Sequence, residues 1–149
     1  MVATNDQLRA GTAAVPITPA YPVHLQGYTR GPSTGSLDEL EARAIVFDDG
    51  HSQAAIVTAD LIGLDVPSVE RIRACAEAAS GIAGDHIMVA CSHTHSGPAV
   101  QVLGGTPPDE EYQRWVEQAL GQVIVTAARS LQPVPLGVGE GLVDINVNR

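Results

Sequence analysis

The sequence is short of aromatic side chains, of basic ones and of long apolar runs, and each shortage removes a class of protein. One Trp, one Phe and three Tyr leave the core to Ala, Val, Ile and Leu. The 149 residues suffice for one domain with a substantial interior. Eight Lys and Arg against 17 Asp and Glu give a formal charge of -9. No basic patch is visible, which argues against a nucleic-acid partner. No stretch approaches the roughly 20 apolar residues that span a bilayer. Residues 1–7 lack the basic flank and apolar segment of a signal peptide, so the chain as given is expected to be cytoplasmic. The two cysteines, Cys75 and Cys91, form no paired metal motif and are expected to be reduced and buried. There is no internal repeat and no low-complexity tract.

What is present reads as an α/β domain with a mixed sheet and flanking helices. Residues 1–10 are polar and expected to fray, and residues 11–149 form the domain. Thr12 to Thr18 is the first expected strand, with Pro16 marking an edge or bulge. A Pro-, Gly- and Ser-rich stretch runs from Pro19 to Leu40. Irregular segments of that length inside a domain are often functional loops. Glu41 to Phe47 and Gln53 to Ala59 flank Asp48-Asp49-Gly50-His51, a hairpin signal whose Asp48 and His51 are expected at a solvated tip. Asp60 follows the second of these strands and is expected to hold a histidine or the chain turn. A helix beginning near Asp65 or Ser68 is expected to bury Val69, Ile72, Ala76 and Ala79 and to stop at Gly81. Ile87 to Cys91 is a short buried strand. A second helix from about Asp109 to Leu131 carries a broad core stripe that includes Tyr112 and Trp115. Leu136 to Gly141 and Leu142 to Asn148 read as final strands.

The chain is organised around the exit of the Ile87–Cys91 strand, Ser92-His93-Thr94-His95-Ser96-Gly97-Pro98. Side chains at the carboxyl end of a core strand are held rigidly and still reach a ligand. On a strand, His93 and His95 would share a face. Two imidazoles can bind one metal, or divide the roles of ligand and general acid/base. A zinc site needs three or four protein ligands, and His24, His51 and His86 are candidates by residue type only. Cys91 as nucleophile with His93 as base, and Ser96 beside His95, are weaker readings. Nothing visible activates the thiol, and the serine lacks a nucleophile elbow.

The corner Ala90-Cys91-Ser92-His93-Thr94-His95-Ser96-Gly97-Pro98 resembles the signature of neutral, non-lysosomal ceramidases. Collinear matches extend the likeness over nearly the whole chain: Ala13 to Pro19, Gly27-Tyr28, Ala42-Arg43-Ala44 and Thr58-Ala59-Asp60-Leu61. The resemblance implies a zinc-dependent amidase that cleaves N-acyl-sphingosine or a related lipid amide. By the same resemblance His93 is a zinc ligand and His95 faces the scissile amide, while Gly27, Tyr28, Arg43, Asp60 and Ser96 surround the site. The family's remaining ligands, a histidine, a glutamate and a tyrosine, lie downstream of this corner and beyond Arg149. The chain is therefore expected to be the N-terminal part of such a catalytic domain. Alone, it is expected to be inactive and prone to self-association through an uncovered edge. The resemblance also makes secretion an alternative to the cytoplasm.

The chain departs from the family pattern at three places. Pro16 stands where the family has an acidic residue, Leu37 where related proteins carry histidine, and Glu41 where tyrosine is usual. These departures favour two alternatives, a hydrolase of another small amide or ester and a non-catalytic binding module.

Overall fold

Alternation of apolar and polar residues in the first half of the chain produces a sheet with one covered face. The computed structural model describes residues 8–27, 32–145 and 147. Strands β1 (Arg9–Pro16), β2 (Glu41–Asp48), β3 (Gln53–Ala59), β4 (Ile87–Cys91) and the two-residue β5 (Gln132–Pro133) form one sheet in the order β4-β3-β2-β1-β5. The β3–β4 pair is parallel and the other pairs are antiparallel, which makes a mixed α/β domain. Helix α1 (Val66–Ser80) makes the crossover between the parallel strands, and α2 (Glu110–Arg129) follows β4.

Every second residue of β2 and β3 is buried: Ala42, Ala44 and Val46 on one, Ala55, Val57 and Ala59 on the other. These cluster with Ile72 and Ala76 of α1 and with Tyr112, Val116, Leu120 and Ile124 of α2. At about 0.8 kcal/mol per buried methylene, this aliphatic layer is the main source of stability. The opposite face carries Arg43, Ile56, Thr58 and Met88, all exposed, with no helix over them among the described residues. Among the described residues no helix is long and apolar enough to cross a membrane.

Helix ends follow local chemistry. Asp65 caps α1 by accepting from the Ser68 N–H at 2.9 Å, and Asp109 caps α2 by accepting from the Tyr112 N–H at 3.0 Å. Gly81 closes α1 in the left-handed conformation, φ 80°. The helices are clamped to each other by Arg71, whose guanidinium donates to both oxygens of the buried Glu117 at 2.7 and 2.8 Å.

Several expectations are corrected. β1 begins at Arg9, two residues before Gly11, because Arg9 and Ala10 pair with Asp48 and Phe47. Asp48 is not a solvated tip residue. It is buried and accepts from the Gly50 N–H and the Gln53 side chain, with Arg9 at 3.6 Å. Val69 is half-buried and Ala79 exposed, since the α1 face that meets the core is centred on Ser68, Ile72 and Ala76. Cys75 is exposed and Cys91 half-buried; Cys75 lies at the rim of the helix pair, its sulfur against Gly121. Trp115 is 44% exposed and packs on Tyr112 from outside, ring centroids 5.6 Å apart. The strands expected at Leu136–Gly141 and Leu142–Asn148 do not form among the described residues, which leave out Asn146 and Asn148. The chain pairs earlier, at Gln132–Pro133 with Ala10 and Arg9, and Val134 N–H donates to the Leu8 carbonyl at 2.9 Å. Leu136, Val138, Leu142, Val143 and Ile145 are instead exposed. A strand needs hydrogen-bonding partners, and these residues have none of the sheet beside them.

Candidate functional site

Parallel pairing brings the carboxyl ends of β3 and β4 together, Ala59 opposite Cys91. The two segments that leave these strands stay joined beyond the sheet. Ser92 N–H donates to the Ala59 carbonyl and His93 N–H to the Leu61 carbonyl, both at 3.0 Å. Strand geometry has ended by then, so the expectation of two histidines along one strand face is replaced by a different arrangement. His93 adopts φ 61°, a left-handed conformation that costs an L-residue about 1–2 kcal/mol. Its ring Nδ1 lies 2.7 Å from the Ile62 carbonyl. A carbonyl only accepts, so Nδ1 carries a proton, and in the neutral ring Nε2 is the lone-pair nitrogen. Metal-binding histidines are commonly oriented by this kind of bond. The His95 ring meets that of His93 edge to face, centroids 5.0 Å apart at 73°.

Gly27, at φ 101°, brings the long irregular loop onto this pair. A β-carbon there would lie 2.6 Å from His95 Cγ, closer than any side chain tolerates. The loop is zipped to the corner by the Gln26 N–H to the Gly97 carbonyl and the Ala99 N–H to the His24 carbonyl, each at 2.9 Å. A cavity of about 710 Å³ adjoins the corner through Thr94 and Ser96 and is walled by Tyr21, Val23 and Leu25. Neither His93 nor His95 lines it.

The structure thus brings Gly27, His93 and His95 together. Asp60 supports the corner by holding the chain turn: its N–H donates to the Glu41 carbonyl and its Oδ2 accepts from the Glu41 N–H, both at 3.0 Å. Ser96 is exposed, with its N–H donating to Thr94 Oγ1 at 3.2 Å. Arg43 lies on the open face of the sheet in an ion pair with Glu41. Tyr28 lies outside the described residues. Two of the departures from the ceramidase pattern, Pro16 and Glu41, are register partners at the end of β1 and β2, and Leu37 is 98% exposed. Burial raises the Cys91 thiol above its ordinary range, which opposes a thiolate nucleophile. The Ile62 carbonyl was invisible in the sequence, because a backbone acceptor has no residue signature.

The other histidines do not complete a metal site. His86 Nδ1 lies 3.0 Å from the Gln53 carbonyl, at the start of β3 and β4, and His51 sits in the hairpin before β3. Both are at the opposite end of the sheet from the corner. Among the described residues no three His, Cys, Asp or Glu side chains are grouped to hold an ion. Among the described residues His93 offers the chemistry of one ligand, and no further His, Cys, Asp or Glu side chains are grouped with it into a zinc set.

The fold and corner define an α/β domain with a histidine pair at the carboxyl end of its parallel strands. No protein-family model matches the chain, and no curated protein matches it. Solved structures do. A neutral ceramidase from Pseudomonas aeruginosa superposes with a TM-score of 0.75 at 25% identity, over 87% of this chain and 22% of that one. A ceramidase complexed with C2 superposes with a TM-score of 0.72 at 24% identity, over the same shares. The chain is similar to part of neutral ceramidase and spans about a fifth of its length.

Proposed function

We propose that this chain forms one part of a zinc-dependent amidohydrolase acting on a lipid amide of the N-acyl-sphingosine type. The observation that carries the reading is the Nδ1-to-Ile62 bond of His93, made beside His95 in a domain similar to part of neutral ceramidase. In this reading His93 offers Nε2 as one metal ligand, and the other ligands come from outside these residues. When bound, zinc supplies Lewis acidity toward a carbonyl and a more acidic water. The chain's own contribution is orientation. The Ile62 carbonyl holds the His93 tautomer, and Gly27 leaves the His95 ring room to face the amide and stabilise the developing oxyanion. Arg43 and Ser96 carry no assigned step in this reading.

A longer polypeptide containing this chain, assayed for zinc content and amide hydrolysis beside its His93→Ala variant, tests the reading. Pro16, Glu41 and the exposed Leu37 favour a second one, a hydrolase of another small amide or ester. A panel of acyl amides and esters separates the two by which substrate is turned over.

A further inference from the structure

The loop that presents Gly27 is fastened by a side chain to which no role has yet been given. Gln26 is fully buried. Its Nε2 donates to the Gln101 carbonyl at 2.5 Å and its Oε1 accepts from the Val100 N–H at 3.4 Å. Its backbone N–H donates to the Gly97 carbonyl. One residue therefore ties the loop before Gly27 to three points in the segment that leaves His95.

A buried amide must find partners to offset its lost hydration, whereas a Leu or Met of similar size would fill the same volume without that demand. What the amide adds is direction, because its donor and acceptor fix the loop in register against 97–101. Gly27 follows at once, in a conformation whose missing β-carbon makes the space for His95. We propose that Gln26 is a positioning residue: it seats the Gly27 backbone against the His95 imidazole and so sets the direction in which that ring faces. The catalytic meaning of that seat rests on the reading of His95 as substrate-facing, while the seat itself is a property of this chain.

The test is nuclear magnetic resonance on the whole 149-residue chain without metal or substrate. In the wild type, nuclear Overhauser contacts are expected from the Gly27 α-protons to the His95 ring and between the two histidine rings. In Gln26→Leu and Gln26→Met these contacts are expected to be lost while the signals of Val57, Ile72 and Leu120 stay in place. A merely structural role would lower the unfolding midpoint and leave the ring contacts intact in the folded variant, and that result would overturn the proposal. Should neither variant fold, the wild type decides. The Gln26 side-chain amide protons are expected to exchange far more slowly than those of the exposed Gln122, and equal exchange would overturn it. These readouts involve neither zinc nor turnover, so their failure leaves the amidase reading intact, and failure of the His93→Ala assay leaves the seat intact.

Discussion

The His95 ring occupies the space that a side chain at Gly27 would need, with its Cγ 2.6 Å from where a β-carbon would stand. A substitution as small as Gly27→Ala must move the loop or the ring. Adding the unfavourable φ of 101°, we expect Gly27→Ala to lose about 1–3 kcal/mol of stability. Denaturant unfolding measures the loss. Loss of the contact between the His93 and His95 rings should accompany it.

His93 makes a sharper pair of variants possible. His93→Ala and His93→Gly both lose the bond to the Ile62 carbonyl, but only glycine accepts φ 61° without penalty. The glycine variant is expected to be the more stable by about 1 kcal/mol. Equal unfolding free energies would show that the left-handed conformation is absent from the native chain.

Neighbouring residues on β3 should respond oppositely because they lie on opposite faces. Val57 is fully buried and Ile56 is 38% exposed. Val57→Ala is expected to cost roughly 2 kcal/mol through lost burial and a cavity. Ile56→Thr, which keeps the β-branch, should stay within about 0.5 kcal/mol. Comparable losses would mean that the outer face is covered in solution.

Acid should weaken the fold through three carboxylates. Burial pushes Glu117 up, but the hydrogen bonds from Arg71 and Ser68 outweigh it and hold the group below its ordinary 4.5. The Gly50 N–H and the Gln53 side chain lower Asp48, and bonds to Ser68 lower Asp65, from an ordinary 3.8. A group more acidic in the folded state stabilises fully above its unfolded pKa and loses that contribution as pH falls through its folded one. Stability should therefore be insensitive to these groups near neutrality and decline below about pH 4.5. Glu117→Gln should be less stable at pH 7 and show a shallower acid decline. An unchanged slope would remove Glu117 from the account.

The legible parts of the fold were those written in local chemistry. Asp65 and Asp109 announced helix starts, Gly81 a helix end and Asp49-Gly50 a hairpin, each through hydrogen bonds or backbone freedom confined to a few residues. β4 was legible as a strand from its apolar run, and the histidine corner followed from its end, but the strand lies at the sheet edge with Ile87 buried and Met88 exposed, not in the core as its composition suggests. What escaped depends on distant partners. Residues 136–148 have strand-like composition, yet pairing is a property of two chains segments and not of one. Asp48 reads as a turn residue because its burial comes from pairing opposite Arg9, far away in sequence, on top of its local bonds to Gly50 and Gln53. The left-handed φ of His93, the carbonyl of Ile62 and the pin at Gln26 carry no residue pattern that could have revealed them.

The measurement that bears most directly on the central claim is zinc content together with lipid-amide hydrolysis in a longer polypeptide, wild type beside His93→Ala. The account predicts that the wild type retains zinc and cleaves N-acyl-sphingosine or a related amide, and that the variant loses both while remaining folded. A folded His93→Ala protein that keeps its zinc and its activity would contradict it.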